Sequence, residues 1–159
     1  LRLIDSDRVC RLQQHELYDA NEAISRRRLE GYLAATTQQQ RELNAEQIWH
    51  IPVNNHHYAQ IAAREALTQH PRPTLLLCMS DRIALGAISV ARQLGLNVPQ
   101  DLRIVGFDGI EEGERFYPAL TTIQQYSAEK GRLAASRLLA GELSGDVELE
   151  CDLVVRQSC

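Results

Sequence analysis

Two apolar runs that each end in polar residues constrain the fold of this chain more than any other feature. Residues 75–79 form an unbroken apolar segment that ends at Ser80, and residues 103–107 lead into Asp108. Unbroken apolar segments of this length are typical of strands buried on both faces of a parallel sheet. Because parallel strands deliver their carboxyl ends to one edge of a sheet, we expect Ser80 and Asp108 to lie at a ligand site there.

The rest of the chain alternates between strand and helix patterns. Apolar runs predict further strands at about 8–12, 47–51, 121–125 and 149–155, and helices are expected over roughly 22–36, 56–68, 81–94 and 127–140. Such alternation predicts parallel strands joined by right-handed crossovers. We therefore predict an α/β fold with a parallel β-sheet and helices on both faces.

Composition narrows the class of protein. A length of 159 residues with 44% hydrophobic side chains predicts one soluble globular domain, and no apolar run approaches the length of a membrane span. The net charge of −4 argues against autonomous nucleic-acid binding, since the dense basic patch is confined to residues 26–28. The four cysteines lack metal-ligand spacing, which favours a reducing cytoplasm, no metal and no cofactor.

Motifs of catalysis are absent from the sequence. It contains no G-x-S-x-G elbow, no G-x-x-x-x-G-K-[ST] phosphate loop and no G-x-G-x-x-G turn. The histidines His50, His56 and His57 invite a metal interpretation, but adjacent side chains on a helix diverge and do not easily face one ion. We expect a protein that is not an enzyme.

Two charged side chains are the leading candidates for a binding site. A carboxylate at a strand end, as at Asp108, can accept hydrogen bonds from two ligand hydroxyls; the alternative is a loop aspartate that caps the following turn. Arg28 carries a planar guanidinium suited to hydroxyls and carboxylates. The alternative is that all three consecutive arginines form a solvated face, since a helix directs at most one or two of them into a cleft.

Four further residues are weaker candidates. Ser80 and Asn54 precede predicted helices, where each acts as a helix cap or as a ligand contact. Tyr18 and Tyr126 are aromatic side chains available to stack on a sugar face. Trp49 lies in the middle of a predicted strand and is expected in the core.

Several motifs, in order and at plausible spacing, resemble the lactose/galactose repressor (LacI–GalR) family of bacterial regulators. The helix motif [ST]-x-x-R-x-x-G-[FWY] matches residues 25–32, in a register that selects Arg28, and the strand motif V-V-G-[FY]-D resembles the segment ending at Asp108. The other matching segments are 80–86, 98–101, 118–123 and the closing 153–158.

The resemblance implies a periplasmic-binding-protein-like (type I) core. Residues 1–159 are expected to form an effector-binding and dimerisation fragment, mainly one lobe of the two-lobed core, from which the DNA-binding head is absent. The 126–142 helix is expected to pack on the missing lobe. Arg28, Asp108 and Ser80 would contact a small effector, most simply a sugar or sugar derivative.

The resemblance also implies partners. A homodimer is expected through Leu85, Ile88, Phe116 and Tyr58, the alternative being that Leu85 and Ile88 are ordinary core. Operator DNA would be bound only through a missing N-terminal helix-turn-helix domain, in a cytoplasmic protein without membrane contact. The competing interpretation is a periplasmic sugar-binding protein of a transport system; an enzyme on the same fold ranks third.

Overall fold

The computed structural model describes residues 2–18, 23–142 and 144–159, in which short strands alternate with helices. The strands are β1 (Cys10–Arg11), β2 (Trp49–His50), β3 (Leu75–Leu77), β4 (Arg103–Asp108), β5 (Thr121–Gln124) and β6 (Asp152–Val154). The α-helices are α1 (Ala23–Gln38), α2 (His56–Leu67), α3 (Asp81–Gln93), α4 (Glu111–Arg115) and α5 (Ser127–Leu139), and 3-10 helices span Gln14–Tyr18 and Ala45–Gln47. Within these ranges no helix is long and apolar enough to cross a membrane.

A four-stranded sheet in the order β3-β4-β5-β6 organises the second half of the chain. β3, β4 and β5 are parallel, with Leu76 opposite Ile104 and Gly106 opposite Thr122. β6 runs antiparallel to β5, contrary to the expectation of parallel strands, because the chain leaves the sheet through α5 and turns back along β5. The predicted α/β fold with a mainly parallel sheet is confirmed.

The first two strands do not join this sheet. β1 pairs antiparallel with β2, with Cys10 opposite His50, so the prediction of parallel pairing is wrong for this part of the chain. The buried His50 ring explains the difference, because its Nδ1 accepts from the backbone N–H groups of Leu3 and Ile4 and its Nε2 donates to the Ser6 carbonyl. β2 is thereby held by the N-terminal segment, and a cleft of about 610 Å³ separates it from β3.

The main core lies where α2 and α3 pack against each other and against the sheet. Gly86 allows the close approach, since a Cβ added there would lie 2.6 Å from the Cβ of Ala59. Burying large aliphatic side chains contributes about 1.5–3 kcal/mol each relative to leaving them exposed. Those buried almost completely in this core are Leu67, Ile88, Val90, Leu102, Ile104 and Leu120.

Helix ends follow the capping signals in the sequence. The Asn55 side chain accepts from the backbone N–H of Tyr58 at the start of α2, and Ser80 accepts from Ile83 at the start of α3. Gly95 follows the end of α3 with a φ of +71°, a conformation that favours glycine. The cap expected at Ser80 is confirmed, whereas the cap expected at Asn54 is wrong by one residue, because Asn55 caps α2.

α5 stands apart from the core. None of its residues is buried, and the Leu138 and Leu139 side chains are 65% and 88% exposed. The leucines of α5 therefore form an apolar surface that the described residues leave uncovered.

Trp49, which was predicted to lie in the core, is half-buried and packs against the α2–α3 core.

Candidate functional site

The carboxyl-terminal ends of the strands collect the polar side chains of the candidate site. Asp108 is the last residue of β4, and Gln125 follows the end of β5, its neighbour in the sheet. Ser80 precedes α3 just beyond β3, and Asn54 lies between β2 and α2. Parallel pairing from β3 to β5 therefore places Ser80, Asp108 and Gln125 along one edge, where open α/β sheets bind ligands.

Arg28 and Asp108 form an ion pair across the fold. Arg28 projects from α1, and its Nη2 donates to Asp108 Oδ1 at 3.0 Å, while Nη1 donates to the Met79 carbonyl beyond β3. The guanidinium lies over the Phe107 ring, 4.0 Å from its centroid. The structure therefore brings together the two leading candidates for a binding site, Arg28 and Asp108. The Arg28 side chain is only 12% exposed.

The hydrogen bonds to the Asp108 carboxylate reach one of its two oxygens, Oδ1. Gln125 Nε2 donates to the same Oδ1 at 2.7 Å, and in the described part of the chain no hydrogen bond reaches Oδ2. Burial raises the pKa of Asp108, and Arg28 and Gln125, which favour the ionised form, offset part of that shift. The side chain remains 30% exposed, so Oδ2 is an acceptor that a ligand can reach.

Sequence reasoning missed Gln125 and its neighbour Lys130. Lys130 Nζ donates to Gln125 Oε1 at 3.0 Å, which orients the amide so that its N–H points to Asp108. The sequence did contain a signal for Gln125, because this residue lies at the carboxyl end of a parallel strand, as Asp108 does. The rule that selected Asp108 therefore also selects Gln125.

Ser80 caps α3, which is one of the two roles expected for it. Its side chain is 1% exposed, and its hydroxyl donates to Asn54 Oδ1 at 2.7 Å while accepting from the backbone N–H of Ile83. A hydroxyl has one proton to donate, and that proton is already used. The buried Ser80 hydroxyl therefore has no proton left to donate to a ligand, whereas Asn54 is partly exposed and its amide N–H groups make no hydrogen bond within the described residues.

Of the two candidate tyrosines, Tyr126 makes its side-chain hydrogen bond to β6. Tyr126 is 41% exposed, adopts a left-handed backbone conformation with a φ of +50°, and its hydroxyl donates to Asp152 of β6. That hydrogen bond raises the pKa of Tyr126. The side chain of Tyr18 lies outside the described residues.

The residues expected at a dimer seam divide into two groups. Leu85 and Ile88 are 3% and 1% exposed and pack within the main core, which supports the alternative that they are ordinary core residues. Phe116 and Tyr58 are partly buried at its margin, and both are accessible to a partner.

Metal binding finds no support among residues 2–18, 23–142 and 144–159. They contain no group of three or more histidine, cysteine or acidic side chains placed to hold an ion. The four cysteines are free, and burial raises the pKa of the Cys78 thiol to about 12, which keeps it protonated and unreactive.

The candidate site is a polar cluster at the edge of a mainly parallel sheet, the position at which open α/β folds bind ligands. A carboxylate held by a guanidinium and one amide has the chemistry to accept hydrogen bonds from hydroxyl and N–H groups. The chain belongs to the periplasmic binding protein-like domain family, which residues 12–159 match.

Relatives of the chain are transcriptional regulators. The chain is 39% identical over 120 residues to the ribose operon repressor of Haemophilus influenzae, an alignment covering 74% of this chain and 35% of that repressor. A LacI-type transcription regulator from Bifidobacterium animalis is similar in structure, with a TM-score of 0.79, 26% identity, and coverage of 89% of this chain and 52% of that one. A LacI family regulator from Lactobacillus casei with bound glucose gives a TM-score of 0.73 at 25% identity, covering 83% and 49%.

These similarities confirm the resemblance to the LacI–GalR family inferred from the sequence motifs. The chain spans about a third of the length of the ribose operon repressor and about half of the two regulator structures.

Proposed function

We propose that this chain is the effector-binding part of a bacterial transcriptional repressor that senses a small, hydroxyl-rich molecule, most simply a sugar or sugar derivative. The observation that carries the proposal is the Arg28–Asp108 pair at the edge of the sheet, in which Asp108 Oδ2 has no hydrogen bond from residues 2–18, 23–142 and 144–159. Regulators among its relatives, one of them with bound glucose, support this function over that of a transport protein.

Effector contacts are proposed for Asp108 and Arg28, with Asn54, Tyr126 and Tyr18 around them. Asp108 Oδ2 would accept from an effector hydroxyl, and the outer edge of the Arg28 guanidinium would donate to a ring or hydroxyl oxygen. Ser80 would act through Asn54, because its own hydroxyl is committed.

The proposed mechanism uses a second lobe. The effector would bind between this lobe and the other, and the exposed leucines of α5 would pack on that lobe. An effector that binds one arrangement of the lobes more tightly than another shifts the population toward it. In the whole protein that shift would reposition paired helix-turn-helix domains on operator DNA.

The remaining elements of the proposal concern assembly and location. A homodimer would form through this lobe, with Phe116 and Tyr58 as the accessible members of the expected seam. The protein would be cytoplasmic and would bind its effector without chemical turnover.

The proposal is tested by isothermal titration of the whole protein with D-ribose, D-glucose and cellobiose. Asp108→Asn removes the charge and keeps the shape, so we expect affinity for the sugar that binds to fall at least about tenfold, the effect of losing a charged hydrogen bond. The exposed Asp7 provides a matched control, since Asp7→Asn changes the net charge equally. Equal affinities for the wild type and Asp108→Asn would remove Asp108 from the site.

A further inference from the structure

Asp81 is a fully buried carboxyl group that the proposed site does not use. It is the first residue of α3 and has no exposed surface. Its Oδ2 accepts from the backbone N–H of Ile110 at 2.8 Å, and its Oδ1 accepts from the Thr122 hydroxyl at 2.5 Å. Both partners lie outside its own helix, one in the loop after β4 and the other in β5.

A capping role does not account for these bonds. The cap of α3 is Ser80, whose hydroxyl accepts from the N–H of Ile83. A capping carboxylate would bind N–H groups of the first helical turn, whereas both Asp81 oxygens reach other elements. Asp81 therefore joins α3 to the loop after β4 and to β5.

The loop that Asp81 holds is the one that carries Asp108. Asp108 has a φ of +121° and Gly109 a φ of +75°, and Ile110 follows directly. Positive φ is costly for a residue other than glycine and persists only where the surroundings enforce it. The bond from Ile110 to Asp81 fixes the downstream end of this turn, while Arg28 and Gln125 hold the Asp108 side chain.

The sheet makes room for the carboxyl group. A Cβ added at Gly106, in the middle of β4, would lie 2.2 Å from Asp81 Oδ1 and 2.9 Å from a methyl group of Leu120. No real Cβ approaches an oxygen so closely, so Asp81 can occupy this position only while residue 106 is glycine.

We propose that Asp81 is a positioning residue for effector recognition, and this inference rests on the proposed function. It holds the 108–110 turn in the strained conformation that presents Asp108 to the effector, and it does not touch the effector itself. The hydrogen bonds, rather than the charge, carry this role.

The test separates positioning from plain destabilisation. Asp81→Ala removes both bonds, whereas Asp81→Asn keeps both, since the amide oxygen accepts from Ile110 and the amide N–H donates to the Thr122 hydroxyl. Ser158→Ala is the matched control: Ser158 is equally buried and also bridges β4 and β5, through the Ile104 carbonyl and the Thr121 N–H, but it makes no hydrogen bond to the 108–110 turn. Sugar affinity and melting temperature are measured on the whole protein for all three variants.

We expect Asp81→Ala to weaken sugar binding about 10- to 100-fold, the cost of losing control of one charged contact. Asp81→Asn and Ser158→Ala should bind within about threefold of the wild type, although Ser158→Ala melts lower. Equal loss in Asp81→Ala and Ser158→Ala would overturn the inference, and so would equal loss in both Asp81 variants. If Asp81→Ala does not fold, Gly106→Ala takes its place, because the new Cβ displaces the carboxyl group and leaves every polar partner present.

Amide exchange at Ile110 distinguishes failure of this inference from failure of the proposed function. If the wild type binds none of D-ribose, D-glucose and cellobiose, the sugar-sensing function fails, and exchange alone decides whether Asp81 holds the turn. Exchange at Ile110 should then be at least about tenfold faster in Asp81→Ala and unchanged in Ser158→Ala. If amide exchange at Ile110 is unchanged in both Asp81→Ala and Ser158→Ala, the inference that Asp81 holds the turn is overturned.

Discussion

The contact between α2 and α3 makes a sharp prediction for Gly86. In a helix interior, replacing glycine by alanine normally stabilises by about 1 kcal/mol, because alanine loses less backbone entropy on folding. At Gly86 the new Cβ would lie 2.6 Å from the Cβ of Ala59, whereas carbon atoms in ordinary contact are about 3.5–4.0 Å apart. The two helices would have to separate by about 1 Å in the main core.

The two effects oppose each other, and the packing effect is the larger. Overpacking of this kind costs about 1–3 kcal/mol, so Gly86→Ala should lower the free energy of unfolding by about 1 kcal/mol net. Gly31 is the matched control, because it is an exposed glycine inside α1 with nothing within 4 Å of an added Cβ. Gly31→Ala should raise the free energy of unfolding by about 0.5–1 kcal/mol.

Urea denaturation measures both variants through the transition midpoint at unchanged slope. The double variant Ala59→Gly/Gly86→Ala removes the clashing methyl group, so we expect it to be more stable than the sum of the single effects by about 1 kcal/mol or more. If Gly86→Ala stabilises as much as Gly31→Ala, the close approach of α2 and α3 described above is refuted.

Two further predictions concern buried polar groups. Burial lowers the pKa of His50, so as the pH falls this side chain is protonated in the unfolded chain before it is protonated in the folded one. The free energy of unfolding should therefore have its full value above about pH 6.5 and decrease as the pH drops below it. Urea midpoints between pH 8 and 5 should therefore drop more steeply for the wild type than for His50→Gln, and equal slopes would contradict the buried neutral ring. Ser158→Ala leaves two backbone partners unpaired and should cost about 2 kcal/mol or more by urea unfolding, against less than about 0.5 kcal/mol for the exposed Ser144→Ala.

The sequence predicted most accurately what depends on neighbouring residues. The cap at Ser80 and the glycine after α3 are local signals that the structure has in place, and the cap of α2 lies within one residue of the expected Asn54. Motif register selected Arg28 and Asp108 separately as effector contacts, and their ion pair is visible only in the structure.

Predictions that needed long-range pairing were weaker. The antiparallel pairing of β1 with β2 depends on the His50 ring and the N-terminal segment, some 45 residues away along the chain, and nothing near residue 50 signals it. The sequence could not decide whether the Ser80 hydroxyl contacts a ligand, because its hydrogen-bond partner Asn54 is 26 residues away along the chain. Leu85 and Ile88 show the same difficulty, since helical periodicity does not distinguish a core face from a subunit seam.

The Arg28–Asp108 pair has a thermodynamic consequence for any ligand at this edge. The guanidinium already stacks on Phe107 and the carboxylate is already oriented by Gln125, so both side chains lose their rotational freedom when the chain folds. Ordering a long side chain on binding costs about 0.5–1.5 kcal/mol, and here that entropy is surrendered beforehand. For an effector of the proposed kind, an incoming hydroxyl would meet a rigid acceptor, and discrimination between sugar epimers would depend on whether their hydroxyls match a direction that the protein has set in advance.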